Sequence, residues 1–477
     1  MGFRAKKVSG HSLWDEEATE VMSDNSNAFT VIIGTNGCGK SELLKDTCNY
    51  YLELYAQTIT SKNRNIFSAV HFAKEDIKHW SAIETEINHS LPRKLIAASS
   101  SQFEKFDAHW RHSSDFLVNG FYAYIGSKPY LPSLSPSVRI ASKAVEQLLN
   151  IRSDTKRLKA LSCFLTEFQF GPLLRLDFDL MIPSEDIRRI AESENFEHIG
   201  RDEATRMAIK RLHEEYEIQE LVYLLNLCEL VAHTPEMILR ITTTDMELVS
   251  IDTNMGEFDI TKRDVATLLR CGLISLKNIS TVSTTPDHGF KKPVDDLVFR
   301  PLYKRSSGEQ CLFLLFMGLI SAIEDHALIC IDEPEISLHP QWQERFVDIV
   351  NHAFVDYHSC HFLIATHSPL IVSDISATNC RVYDMVNRQL IDASPHRERS
   401  ADYQLAKLFH NPGKNNEYLI TQIIEVLDCV CKTENPPEET LAAANWLLSF
   451  EFKLEEHDKV RVLLGIMRST LLAGGHL

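Results

Sequence analysis

The stretch that most constrains this chain is "AFTVIIGTNGCGKSELL", from Ala28 to Leu44. The β-branched, apolar run from Phe29 to Ile33 predicts a buried strand, and "ELLKDTCNYYLELY" has the spacing and composition of a helix. Between them lies Gly34-x4-Gly39-Lys40-Ser41, placed between strand and helix as a phosphate-binding loop requires. Glycine lets consecutive backbone N–H groups, here those of Asn36, Gly37, Cys38 and Gly39, curl around a phosphate at a helix N-terminus. Lys40 is then expected to reach the β- and γ-phosphates of a nucleotide, and the Ser41 hydroxyl to hold Mg²⁺.

A cradle binds without hydrolysing, so acidic and polar partners are needed elsewhere. "HALICIDEPEISLHPQWQ" carries a second buried strand ending in Asp332 and Glu333. A carboxylate at the C-terminal edge of a strand suits the Mg²⁺ shell, the role expected of Asp332. Glu333 follows and, by strand alternation, points elsewhere, as the base that orients an attacking water. "CHFLIATHSPLIV" is a third apolar strand, ending at His367, which is placed to meet a γ-phosphate or the water beside it. "PRKLIAASSSQFEKFD" ends a further strand in serines and Gln102, a candidate for contact with Mg²⁺ and the attacking water. Finally, "LYKRSSGEQCLF" sets Ser306, Ser307, Gly308 and Glu309 before an apolar run reaching Ile323, a polar helix start backed by a buried helix.

Composition bounds what this machinery can serve. With 44% hydrophobic and 24% charged residues, the chain has the balance of a globular protein of two or three domains. Its longest apolar run, Cys311 to Ile323, is shorter than the roughly 18 residues of a membrane span. No apolar stretch follows the charged N-terminus, so a cytoplasmic protein without membrane contact is expected. A formal charge of −17 excludes a uniformly basic nucleic-acid sheath, leaving local patches such as "KRLK" at 156–159. The 11 cysteines show no CxxC or Cys/His ligand spacing, so reduced thiols serving as small apolar fillers are expected.

Taken together, the motifs resemble the ATP-binding cassette ATPases, particularly their SMC-like branch. The order is phosphate loop, glutamine loop (Gln102), serine-glycine signature (Ser306–Gln310), acidic strand (Asp332, Glu333) and histidine switch (His367). The resemblance implies an α/β, ABC-type P-loop ATPase head split in sequence, at residues 1–134 and 236–399. A mainly helical, compact insertion (135–235) and a helical C-terminal tail (400–477) complete the expected organisation. In that family two heads pack head to tail, and the signature of one covers the ATP of the other. The resemblance thus implies a homodimer or higher homo-oligomer, with Ser306 and the Ser307–Gly308 backbone donating across the interface. Three departures stand out: Arg305 where Leu is usual, "PEISLHP" after Glu333, and Cys38 where Ser is frequent.

The rest of the chain narrows the branch. No heptad array is long enough for a coiled-coil arm, and the tail is too short for an added nuclease domain. Trp446, Leu447 and Phe450 are expected either to lie exposed on one side of the tail, as a docking face, or to buttress the chain's own head or dimer. "RSSGEQ", "IDEPEISLHPQWQ", "ATHSP" and "SADYQLAKLF…NEYL" are similar to PtuA-type ATPases of Septu and retron-associated antiphage systems. That similarity implies an HNH nuclease partner (PtuB-like), with DNA or a retron nucleic acid as a further ligand class. The alternatives are a RecF-like DNA-repair ATPase, a slow nucleotide-gated scaffold and a transporter motor subunit.

Overall fold

The computed structural model describes residues 3–15, 26–62, 91–101, 105–106, 120–126, 136–149, 154–181, 236–249, 261–283, 297–373, 379–433 and 435–475, with scattered positions between 220 and 231. A short hairpin, β1 (Lys7–Val8) and β2 (His11–Ser12), precedes β3 (Ala28–Ile33) and α1 (Lys40–Lys62). Next come β4 (Lys94–Ser99), β5 (Tyr122–Ile125), α2 (Pro136–Leu149), α3 (Thr155–Glu167) and β6 (Phe170–Leu180). They are followed by β7 (Glu236–Ile241), β8 (Met246–Val249), α4 (Lys262–Arg270), β9 (Ile274–Ser283) and β10 (Phe299–Pro301). The chain continues through α5 (Ser307–Ala322), β11 (Ala327–Asp332), α6 (Pro340–Ala353), β12 (His361–Ala365) and α7 (Pro369–Ser373). It then forms β13 (Cys380–Asp384), β14 (Gln389–Asp392), α8 (Ala401–Lys407), α9 (Glu417–Lys432), α10 (Glu438–Leu448) and α11 (Lys459–Ala473).

The principal sheet has seven strands in the order β14-β13-β3-β12-β11-β4-β5. All neighbours run parallel except the edge pair β13–β14. Every residue of β3, β4, β11 and β12 is buried. A parallel sheet is covered on both faces, which is why these strands read as unbroken apolar runs rather than alternating ones. Their side chains still divide by face. Val31, Ile96, Ile329 and Ile364 belong to one apolar cluster with Phe316 of α5 and Phe346 of α6, while Ile32, Leu95, Leu328 and Leu363 belong to another with Leu44 and Cys48 of α1. The fold is thus α/β, with the parallel-dominated central sheet expected of a P-loop ATPase head.

Helix α5 is apolar around most of its circumference because it lies between the sheet and a second helical layer. Phe316 stacks on Phe164 of α3 with ring centroids 5.0 Å apart, and a Cβ at Gly318 would press into Ile125 of β5. On the far side of that layer is an antiparallel sheet ordered β10-β9-β6-β7-β8. Its central strand β6 shifts register against β9 between Phe170 and Leu174, where Pro172 has no N–H to give the ladder. Strands β7 and β8 are joined by a turn in which Thr242 N–H donates to Asp245 O. The basic stretches "IRR" at 187–189 and "IKR" at 209–211 and the turn-rich sequence "TTPDHGFKKPVDD" at 284–296 lie outside the described residues.

The C-terminal helices pack on one another through Leu419, Ile423, Leu447, Phe450, Leu464 and Met467. This corrects the expected docking face. Leu447 and Phe450 are 1% and 2% exposed, and half-buried Trp446 lies under Lys407 with Nζ 3.7 Å from the ring centroid. The apolar face of α10 is covered by α9 and α11, contacts that the local pattern does not disclose. Leu408 and Phe409 carry the start of this region into the core of the head. Among the described residues no helix is long and apolar enough to cross a membrane.

Candidate functional site

The strand order brings the distant motifs to one sheet edge. Strand β12 lies between β3, which feeds the phosphate loop, and β11, which ends in Asp332. In an open parallel sheet, ligands bind outside the carboxyl ends of the strands, and these three ends deliver Gly34, Asp332 and Thr366 side by side. Backbone bonds across the gap hold them in register: Thr366 N–H donates to Ile32 O, and Glu333 N–H to Ala365 O.

The phosphate loop turns on Gly37 (φ 78°) and Gly39 (φ 98°), in the region a side chain resists. Thr35, Asn36 and Gly37 form its exposed tip, Cys38 and Gly39 are half-buried, and Lys40 is buried. The Lys40 ammonium folds back onto its own loop, donating to Gly34 O at 2.9 Å and Thr35 O at 3.2 Å. It also donates to His367 Nδ1 at 3.0 Å. Burial holds its pKa below the ordinary lysine range, against the opposing pull of Cys38, Glu335, Glu333 and Asp332.

Because Nδ1 of His367 accepts from Lys40, the ring proton belongs on Nε2, which faces Glu333 Oε1 at 3.6 Å. Burial first, then the Lys40 charge, lowers the His367 pKa, with Glu333 acting in the other direction. The imidazole is therefore neutral and presents an N–H toward Glu333. Glu333 does not reach this place by strand alternation, as its sequence position suggests. Strand β11 ends at Asp332, and Glu333 leaves it with φ 50°, a left-handed turn that aims the carboxylate at His367.

Ser41 Oγ donates to Asp332 Oδ1 at 3.0 Å, joining the first turn of α1 to the acidic strand. Burial, with Glu333 and Glu335 nearby, raises the Asp332 carboxyl to about 7 against the Ser41 hydrogen bond and Lys40. A hydroxyl and a buried carboxylate short of positive charge are hard oxygen donors suited to Mg²⁺. Among the described residues no group of three His, Cys, Asp or Glu assembles a self-contained metal site. A cation here would share its remaining positions with phosphate and water.

Two contributors escape the sequence reading. Glu335 Oε1 accepts from His367 N–H at 2.6 Å, fixing the backbone that carries the imidazole. The signal for it was the third acid of "DEPE", two positions after Glu333. Gln343 of α6 accepts from Ser368 Oγ at 2.6 Å and donates to Leu338 O at 3.0 Å, tying β12 to the loop after Glu333. Gln102 lies outside the described residues.

The signature serine forms a second cluster. Ser306 is the N-cap of α5, its hydroxyl accepting from Glu309 N–H and donating to Glu309 Oε2 at 2.9 Å. Ser306 and Ser307 are exposed, and Gly308 is buried. Arg305, in place of the usual Leu, is 8% exposed and reaches inward, with Nη1 2.9 Å from Glu309 Oε1. Its guanidinium lies 4.6 Å from the Phe170 ring centroid and donates to Thr281 Oγ1, linking the signature to the antiparallel sheet. The two clusters meet at Gly308, where a Cβ would fall inside the carbonyl oxygen of Ser337, in the loop leaving Glu333. Lys40, Ser41, Asp332, Glu333 and His367 thus share one network, while Ser306–Glu309 stand apart and touch it through that loop.

Residues 248–373, which hold the signature, the acidic strand and His367, match the family described as "AAA domain, putative AbiEii toxin, Type IV TA system". Protein ea59 of Escherichia phage lambda is 22% identical over 377 residues, covering 78% of this chain and 52% of that protein. The Retron Vc95 probable ATPase of Vibrio cholerae serotype O1 biovar El Tor is 25% identical over 84 residues, 18% of this chain and 16% of that protein. The chain spans about half the length of the first of these relatives, and less of the second.

Proposed function

We propose that this chain is a Mg²⁺-dependent ATPase whose nucleotide closes two copies head to tail, and that it controls a partner HNH nuclease in antiphage defence. The observation that carries the ATPase reading is the Lys40–His367–Glu333 chain beside the Ser41–Asp332 pair, with links of 3.0, 3.6 and 3.0 Å. Similarity to a retron probable ATPase and to a family named for a toxin–antitoxin system supports the defence setting.

The residues divide the work by chemistry. Lys40 exchanges its bonds to Gly34 O and Thr35 O for the β- and γ-phosphates, which the glycine loop cradles with N–H groups. Ser41 and Asp332 hold Mg²⁺, which, when bound, offsets phosphate charge. The Glu333 carboxylate orients the attacking water and accepts its proton. His367, neutral and anchored by Glu335, loses the bond to its Nδ1 once the nucleotide has drawn Lys40 away, which leaves the imidazole free to offer an N–H to a γ-phosphate oxygen. Exposed Ser306 and Ser307 face outward, where a second copy's triphosphate would complete the site.

Mixing variants tests the shared site. Lys40→Ala and Ser306→Arg chains are each expected to be inactive, while their mixture recovers ATPase activity because one composite site stays whole. No recovery, with both variants folded and nucleotide-driven dimers still forming, rules out sharing. Co-expression with neighbouring gene products is expected to retain a small HNH protein on the ATPase. Salt-sensitive DNA binding by the ATPase alone would favour the repair reading instead.

A further inference from the structure

The loop that leaves β13 touches both the phosphate loop and the C-terminal helices. Met385 N–H donates to Ile33 O at 2.9 Å, which sets its side chain beside the glycines. A Cβ at Gly34 would stand 3.1 Å from Met385 Cβ, and one at Gly39 would stand 3.8 Å from its Cε. Met385 therefore spans the back of the loop from the first glycine of the motif to the last. The preceding residue, Asp384, is 1% exposed and faces the other way. Its Oδ1 accepts from Val386 N–H at 2.8 Å and Asn387 N–H at 3.3 Å, shaping the turn that carries Met385. Its Oδ2 lies 2.7 Å from Nε2 of His410, and a carboxylate accepts, so the imidazole donates. His410 in turn accepts from Lys453 Nζ through its carbonyl at 2.9 Å and follows Phe409, which is seated in the core of the head.

We propose that Met385 is a positioning residue through which docking of the C-terminal helices, by the His410–Asp384 contact, sets the conformation of the phosphate loop and hence the affinity for ATP. The inference rests on the nucleotide-binding reading above and assigns the C-terminal region a control over it. A glycine-rich loop has many conformers to lose on binding a triphosphate. A side chain braced against both ends of it lowers that loss, and a thioether adapts to the irregular surface between two glycines. The brace holds only as long as its turn is held, and Asp384 holds that turn with His410 pinned to the same carboxylate.

The test is a double-mutant cycle in the full-length protein, with ATP affinity measured by titration in the presence of Mg²⁺. Met385→Ala and His410→Ala are each expected to weaken ATP binding roughly five- to tenfold, within the usual span of coupling between sites. The double variant is expected to bind no worse than either single one, because both break the same path. Met385→Leu and His410→Gln, which keep bulk and a donor respectively, are expected to restore most of the affinity. Unchanged ATP affinity in His410→Ala, or effects that multiply in the double variant, overturns the proposal while leaving the nucleotide site standing. A wild-type chain that does not bind ATP overturns the parent reading and this inference with it.

Discussion

The Lys40 ammonium lies 3.0 Å from Nδ1 of His367, although 327 positions separate the two in the chain. The contact sets the imidazole tautomer and directs its remaining proton toward Glu333. It also means that the lysine expected to meet phosphate is already committed to acceptors that include Gly34 O, Thr35 O and His367 Nδ1. Nucleotide must displace them.

His367→Ala is therefore expected to lower kcat by about 10- to 100-fold, a modest share of the range for a positioned acid–base partner, with ATP affinity little changed. His367→Gln, which keeps an N–H near the same place, should recover part of the rate. Steady-state kinetics that separate kcat from KM check this; a loss confined to KM would assign the residue to binding.

Asp332 offers a contrast between stability and function. Its carboxyl is buried, short of positive charge, and raised to about 7. Asp332→Asn removes the cost of ionising it, so the nucleotide-free protein should be as stable as wild type at pH 8, or more so by about 1–2 kcal/mol. Thermal unfolding reads that outcome. In the same variant, stabilisation by Mg²⁺ and ATP should vanish, as it should when EDTA is added to wild type.

Gly308 tests whether the signature helix and the loop after Glu333 must meet. A methyl there collides with the Ser337 backbone, so Gly308→Ala is expected to cost about 1–3 kcal/mol and to displace one element from the other. Urea unfolding gives the first quantity. ATPase activity at a temperature where the variant stays folded gives the second, and a normal rate would show that the contact is structural alone.

A pH dependence follows from His361, far from the site. Its Nδ1 accepts from Ala5 N–H at 3.0 Å, and Nε2 donates to Thr30 Oγ1 at 2.9 Å, since the Thr30 hydroxyl gives its own proton to Leu13 O. Burial, with Arg4 nearby, holds its pKa well below 6.5. The unfolded chain thus binds a proton that the folded chain refuses, so this contribution is whole above pH 6.5 and shrinks as pH falls below it. The loss is at most about 1.4 kcal/mol per pH unit. His361→Phe should flatten the unfolding free energy between pH 6.5 and 5; an equal slope in variant and wild type would contradict the assignment.

The legible parts were those where a polar group interrupts a buried strand. Asp332 and His367 come at the ends of unbroken apolar runs, the loop that carries Lys40 follows another, and a parallel sheet puts such strand ends on one edge. What could not be read was set by long-range pairing. Nothing local shows that β12 separates β3 from β11, or that Glu333 exits through a left-handed turn. Arg305 read as a departure from a family pattern, because its partners Phe170 and Thr281 come from two strands far upstream. For Trp446, Leu447 and Phe450 the choice between a docking face and a buttress within the chain stayed open for a related reason. Trp446 and Leu447 lie on α10 and Phe450 just past its end, and what covers them depends on α9 and α11.

The central claim is that Glu333 activates water for attack on ATP held by Lys40 and Ser41. Turnover by Glu333→Gln, measured alongside its ATP affinity, tests it most directly. The account predicts hydrolysis slowed by about 10²–10⁴-fold with binding retained, and ATP-bound dimers that accumulate. A variant that hydrolyses ATP at the wild-type rate would contradict it.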